Sequence, residues 1–576
     1  MRSDSISIAR VLACASWLLT ACSDDGGGGG DEVDTGTGES AEEGSEAESG
    51  EGNEGAETGD AGDTGDTGDT GEEAPPGLYG VPNLDDDDQN GQADWDDPAF
   101  DADNDLTDWS LPEAAVEAAG EGGSVELLVE GDVDQLRFWL EGEAILGQVG
   151  ADEPVTSVAL TGAQLSATLQ VEFGDFHRWG TITARSLDAG GVEVATLSLE
   201  FMASPLVINH HGQPTEYVWA VPAGSNSEMI AEFEGVLGDR FVSVSSNDVW
   251  IQDELEWATA TAPDKRLNIA MDSIRDRALD SYVKGLEAPD IQPMTWGQAG
   301  TDVTEDKFGN LEVTMPVSAG GVDYPFGRIY YGDKDGSGPN EIIKSFLDEQ
   351  ALQAPIRVDT TWLCIGHVDE FLSFIPDPDS ARGFKFLITD TNAAWELLEA
   401  MDPSTSLPRY AQSHGYATVA SMLDDDELRA TNDDVQANYL DAVREQLEAE
   451  LDLDPEDIIR IPGLFERLSQ CPYSAAPLET AALIPGMLNL VVVNLPEEPL
   501  RIFVSDPFMR TDTSDQGSDP FIAAFADALP SAYEIHHVDD WYTYHVYIGE
   551  VHCGSNVSRT PTDDWWQDGM HLLGEQ

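Results

Sequence analysis

The chain has 576 residues, with 26 Lys and Arg against 112 Asp and Glu, and a formal net charge of −86 at pH 7. That balance repels phosphate backbones and excludes nucleic acid as a partner. It suits cations instead, either calcium or a positively charged substrate steered inward.

The opening MRSDSISIARVLACASWLLTACSDD has an arginine-containing start and an apolar run too short to span a bilayer, which reads as a secretory signal over residues 1–22. It ends in Leu19-Thr20-Ala21-Cys22, similar to a bacterial lipobox. Cleavage before Cys22 and lipidation of its thiol are therefore expected, with export and anchoring to the cell envelope, and membrane contact through that lipid alone. Ser23 favours the outer membrane. Residues 23–80 are Gly, Glu, Asp, Ser and Thr with almost no large apolar side chain, so they read as a solvated tether. With Cys14 removed and Cys22 lipidated, Cys364, Cys471 and Cys553 remain, and an odd number leaves at least one thiol unpaired.

Residues 81–204 begin with NLDDDDQNGQADWDD. Asp86, Asp88 and Asn90 ahead of Gly91, with Asp94 further on, have the alternating spacing of a calcium loop. A terminal glutamate and flanking helices are missing, so an EF-hand is excluded. SVELLVEG, LRFWLEG, VTSVALTG, LSATLQVEF, WGTITARSL and EVATLSLEF then alternate apolar and polar residues between turn formers. They predict a small antiparallel β-sandwich.

Residues 205–576 read as α/β. EYVWAV, RIYYGD, FKFLITD, LNLVVVN and LRIFVSD predict strands, and NEIIKSFLDEQAL and DDVQANYLDAVREQLEAELD predict helices. No internal repeat is visible residue by residue. Three islands carry chemistry: NDVWIQDELEW, CIGHVDEFLSF and YTYHVYIGEVHCGSN. They offer two carboxylates (Asp253, Asp369), a histidine (His367) and a thiol (Cys553). Two carboxylates can bracket a guanidinium by paired, charge-assisted hydrogen bonds and hold its carbon in line with sulfur. The histidine can protonate the departing ammonia and then activate water. Spacing alone does not distinguish this from a cysteine peptidase.

WIQDELE, FGNLEV, GRIYYGD, GHVDEFLSFIPDP, DIIRIP and GEVHCGSNV, in that order over residues 205–576, resemble the calcium-dependent peptidyl-arginine deiminases. The resemblance implies a multidomain protein whose C-terminal catalytic part is a five-bladed α/β propeller (pentein), preceded by a calcium-binding β-sandwich. It implies Cys553 as nucleophile, His367 as acid and base, Asp253 and Asp369 as guanidinium clamps, and Trp250 along the arginine stem. Arg277 would contact the substrate backbone, favouring protein or peptide arginine over free arginine. Gln252, Glu256 and Glu312, with the carbonyls of Phe308 and Leu311, would hold one calcium ion. Glu254, Asp272, Ser273 and Asp276 would hold a second, Asp276 standing where the family usually has asparagine. An Arg-His pair that commonly precedes GEVHC is replaced by Tyr547 and Ile548, which removes a cationic contact to the peptide.

The remaining candidates have plainer readings. Cys364 reads as core, and Cys471 as structural or without a role; a bond between them is open. His552 reads as structural, pointing away from Cys553 on a strand. His210 and His211 read as junction residues and not as metal ligands. Gln252, Glu254 and Glu256 alternate as they would on one face of a strand. Trp565 and Trp566 read as packing. The rival functions are deimination of free arginine or a small guanidine, and a catalytically silent calcium-binding surface lipoprotein.

Overall fold

Alternation organises the first described part. In Ser124–Gly131, Val125, Leu127 and Val129 point inward while Glu126, Leu128 and Glu130 are partly or fully exposed, the period of a half-buried strand. The computed structural model describes residues 77–574 apart from 98, 101–104, 151–152, 334–335, 337, 472–478, 497 and 563. The signal, Cys22 and the tether to residue 76 lie outside the described residues.

One sheet runs Gly77–Gly80, Glu193–Ala203, Trp179–Leu187, Ser124–Gly131 and Ser157–Thr161. A second runs Thr107–Ser110, Thr168–Phe173, Leu136–Leu140 and Glu143–Gly147. Both contribute to one core, with Val125, Leu127 and Ile182 from the first and Phe138 and Val171 from the second. Gly77–Gly80, placed by the sequence at the end of the tether, is a strand pairing in parallel with Glu193–Ala203. Its one large apolar side chain, Leu78, joins that core, too brief a signal to stand out in an acidic run.

Among the described residues, five three- or four-stranded sheets with the same order follow, together with two two-stranded hairpins, Val317–Ala319 with Val322–Tyr324 and Phe465–Arg467 with Thr480–Ala482. The first has Lys265–Asp272 between Leu255–Ala262 and Ile291–Thr295, with Val207–Ile208 at its edge; the second has Ile329–Gly332 between Leu311–Val313 and Ile356–Val358. The third centres on Phe384–Asp390, between Leu372–Pro376 and Ile458–Pro462; the fourth on Leu500–Ser505, between Val491–Val493 and Tyr533–Val538. The fifth centres on Thr215–Ala220, between Ser555–Arg559 and Phe241–Ser243. Each central strand is antiparallel to one neighbour and parallel to the other. A parallel neighbour needs a crossover, and a helix supplies it each time: Asp280–Lys284, Glu341–Gln350, a helical run beginning at Thr391–Ala400, Pro520–Ala528 and Ser227–Leu237. The repeat therefore lies in topology, where residue-by-residue comparison does not see it.

Caps and bulges fix these crossovers. Asn340 accepts hydrogen bonds from Ile342 N and Ile343 N and so starts Glu341–Gln350. The long predicted helix is Asp426–Val435 and Asp441–Glu450 joined by a wide π turn, Gln436–Leu440, where Gln436 Oε1 accepts from Thr391 N at 2.8 Å. Cys364 and Cys471 form a disulfide. Their separation of 107 residues, closed only by the fold, hides this pairing from the sequence.

Candidate functional site

Cys553 sits in a turn just ahead of Ser555–Arg559, the strand that antiparallel pairing joins to Thr215–Ala220. Val551, fully buried among Val218, Phe503 and Tyr544, anchors the turn from below. Asn489 holds it from the side: its Oδ1 accepts from His552 N at 3.0 Å and Cys553 N at 3.2 Å. Its Nδ2 donates to Asp369 Oδ2 at 2.7 Å and to Cys553 Sγ at 3.3 Å. Asp369 Oδ2 lies 3.8 Å from the sulfur.

Asp369 belongs to a short 3-10 turn, Val368–Glu370, opened by His367, whose N–H donates to Glu370 Oε1 at 2.9 Å. His367 is fully buried, and its Nε2 donates to Thr304 O at 2.8 Å. A carbonyl only accepts, so the neutral ring carries its lone pair on Nδ1, which has no hydrogen-bond partner. Gly309 makes room for it, since a Cβ there would lie 2.5 Å from His367 Nδ1 and 3.2 Å from Asp369 Oδ2. On the opposite side, a Cβ at Gly549 would lie 2.4 Å from the Trp250 ring and 3.4 Å from Cys553 Sγ. Trp250 therefore borders the thiol. Burial first, then the charges of Asp369 and Asp253, push the Cys553 thiol well above its ordinary value. Asp253 pairs with the buried Lys307 ammonium at 3.9 Å. All four residues proposed for chemistry thus converge on one centre, while Arg277 is exposed.

Residues 251–254 form a turn, not a strand, so Gln252, Glu254 and Glu256 do not share a face. Gln252 Nε2 donates to Glu256 Oε2 at 2.6 Å and to Phe308 O at 3.3 Å, beside Glu312, which follows Leu311 on its strand. Burial, then repulsion from Glu256 and Asp369, raises the Glu312 carboxyl well above its usual range. Burial raises Glu256 to about 8. Glu254 turns the other way, toward Asp272 and Arg275, whose Nη1 donates to Glu254 Oε2 at 3.2 Å and whose Nη2 donates to Asp248 Oδ2 at 2.7 Å. Burial, with Asp272 and Asp248 adding repulsion against the pull of Arg275, lifts Glu254 to about 8. Asp272 is raised to about 6, mainly by burial. One oxygen each from Glu254, Asp272 and Asp280 lie within 4.8 Å of one another. Ser273 Oγ accepts from Arg275 N at 3.3 Å, and Asp276 is exposed with φ of +47°. Glu254 Oε1 and Asp272 Oδ1 on one side, and Glu312 Oε1 on the other, are buried without a hydrogen-bond partner, and in each place carboxylate oxygens fit a hard cation.

In the N-terminal acidic loop, one oxygen each from Asp86, Asp88 and Asp94 also lie within 4.8 Å. Asn90 Oδ1 is taken by Gln92 N at 3.0 Å, and its Nδ2 donates to Asp88 Oδ2 at 3.0 Å. Asn90 therefore braces the loop in this arrangement.

Three residues were missed in the sequence: Asn489, Arg275 and Asp280. None carries a motif of its own, although Arg275 lies two residues from Arg277. His552 also departs from its plain reading. Because residues 551–554 turn, its Nδ1 reaches Asp369 Oδ2 at 3.0 Å.

The fold and the site together define an α/β protein of five like sheets with cysteine, histidine and paired carboxylates at one centre. A family model described as protein-arginine deiminase (PAD) matches residues 194–567. The chain belongs to that family. It is 30% identical over 424 residues to protein-arginine deiminase type-4 of Homo sapiens, covering 68% of this chain and 60% of that one. Against the Mus musculus type-4 protein it is 30% identical over 443 residues, covering 71% and 64%. The chain thus spans about three fifths of the length of these curated relatives. Among solved structures, agmatine deiminase of C. jejuni is similar over 62% of this chain and 97% of that one, with 12% identity and a TM-score of 0.35.

Proposed function

We propose that the chain hydrolyses arginine side chains in proteins or peptides to citrulline and ammonia. The observation that carries this is Cys553 Sγ 3.8 Å from Asp369 Oδ2, in a site where His367 keeps a buried, unpartnered Nδ1. Asp369 and Asp253 bracket the guanidinium, the substrate displacing the Lys307 contact. The arriving cation offsets the two charges that raise the thiol, so substrate binding itself favours the thiolate. The thiol gives its proton to the free lone pair on His367 Nδ1, and sulfur adds to the guanidinium carbon. The C–N bond breaks, ammonia leaves with a proton from His367, and a thiouronium remains. His367 then takes a proton from water, which adds to the same carbon and expels the thiolate to leave the urea of citrulline. Trp250 borders the aliphatic stem, and exposed Arg277 is available to a peptide backbone.

Calcium is proposed as cofactor, held by Gln252, Glu256, Glu312, Phe308 O and Leu311 O, and by Glu254, Asp272, Ser273 and Asp276, with Asp280 added. When bound it supplies positive charge that compensates these buried carboxylates. The five like sheets are proposed to close as a five-bladed propeller, and the preceding pair of sheets to act as a calcium-binding sandwich with Asp86, Asp88 and Asp94. Export and lipid anchoring at Cys22 are proposed from the sequence. The test is citrulline release from a blocked arginine peptide and from free arginine across a calcium titration. Release from the peptide is expected; release from free arginine alone would overturn the substrate assignment.

A further inference from the structure

Next to His552, the neighbour of Cys553 in the chain, lies a small cavity of about 30 Å³ whose lining also includes His211, Gln252, Glu256 and Glu312. One ring nitrogen of His211, one of His552 and one oxygen of Glu312 lie within 4.8 Å of one another. His552 Nε2 and Glu312 Oε1 are 3.7 Å apart.

The protons on these rings are placed by their other contacts. His211 Nδ1 lies 2.7 Å from Phe374 O, and His552 Nδ1 lies 3.0 Å from Asp369 Oδ2. A carbonyl and a carboxylate both accept, so each Nδ1 donates. In the neutral rings the lone pairs are then on Nε2. The His552 lone pair faces a carboxylate oxygen that is itself buried and without a hydrogen-bond partner. Two such atoms need a proton or a metal ion between them, and at 3.7 Å the gap is too wide for a hydrogen bond and suits a bridging metal ion. Imidazoles whose Nδ1 is anchored to an oxygen are the form in which histidine commonly ligates metals.

We propose that His211, Glu312 and His552 bind a divalent cation of the zinc class. Two nitrogens and one carboxylate select such a borderline ion over calcium, which takes oxygen. Bonds of about 2.0 Å place tetrahedral donors about 3.3 Å apart, so His552 and Glu312 need only a slight contraction. The site takes Glu312 from the oxygen set proposed for calcium and holds His552 against Asp369, so the two ions compete for one carboxylate. This inference does not depend on the proposed reaction, because binding is read without substrate.

The test is a titration of the full chain, freed of metal by a chelator, with Co²⁺ as a spectroscopic stand-in. Nitrogen-rich four- or five-coordinate Co²⁺ absorbs strongly in the visible, whereas ions on carboxylate loops and the acidic tether stay octahedral and nearly colourless. One equivalent is expected to develop the band. His211→Ala is expected to weaken binding by about tenfold or more, whereas His210→Ala, which removes a neighbour in the same cavity, retains the band. Circular dichroism checks that both variants fold. An absent band in the unmodified chain, or an equal band in folded His211→Ala, overturns the proposal.

Discussion

Asn489 bears the sharpest prediction, because its four contacts divide cleanly between two substitutions. Asn489→Ala strips the buried His552 and Cys553 N–H groups of their acceptor. Each orphaned donor costs about 1–3 kcal/mol, so a loss of roughly 2–6 kcal/mol of stability is expected. Asn489→Asp keeps an acceptor for both groups and removes the donors to Asp369 and Cys553. It also brings a second carboxylate to the place where the amide now lies 2.7 Å from Asp369 Oδ2, a repulsion of about 6 kcal/mol at an effective dielectric constant of about 20. The pair therefore retains a proton near neutral pH, and a clamp charge is lost. Asn489→Asp should unfold close to the unmodified chain while kcat/KM for a blocked arginine peptide falls by about 10²- to 10³-fold, equivalent to about 3–4 kcal/mol. Thermal unfolding and citrulline release measure the two effects separately. Activity of folded Asn489→Asp within about threefold of the unmodified chain would refute the reasoning.

Cys553→Ser should abolish turnover and leave the unfolding temperature nearly unchanged, since the free thiol is small and buried; measurable turnover removes it as the nucleophile. Glu254 and Glu256, each raised to about 8, hold protons at pH 7 that a bound cation must release. Calcium affinity should therefore rise steeply from pH 6 to 8, with proton release visible by calorimetry in buffers of different ionisation enthalpy. The linked stability has the matching sign: with folded values above unfolded ones, the ion-free chain keeps this contribution at low pH and loses it as pH rises toward 8. Calcium affinity that does not vary with pH would contradict the ligand assignment. Cys364→Ser opens a loop spanning 107 residues and should lower stability by up to about 4–5 kcal/mol, read as a drop in denaturation midpoint that dithiothreitol reproduces in the unmodified chain.

How much of this was legible depended on whether the determinant was local. Trp250, Asp253, His367, Asp369 and Cys553 each sit in a short peptide that resembles a motif of the deiminase family, so their grouping was read through that resemblance, not from their spacing. Asn489 could not, because an amide in a run of Leu and Val acquires its role only when the fourth sheet is brought against the turn at Cys553. The faces of Gln252, Glu254 and Glu256 were misjudged because a strand was assumed where residues 251–254 turn. His552 was misjudged by the same assumption. His211 looked like a junction residue because its partners lie about a hundred and more than three hundred positions away. The alternating strands of the first part were plain, since a period of two survives without tertiary information. The repeat of the five sheets was not, because it is a repeat of connections.

The fifth sheet takes its central strand from near residue 215 and its antiparallel partner from near residue 555. A ribosome thus finishes almost the whole deiminase-family region before the sulfur can be seated, and any nascent or clipped chain lacking that last strand carries the carboxylates without a seated nucleophile. Synthesis order alone would then delay chemistry until the final stretch of polypeptide has docked.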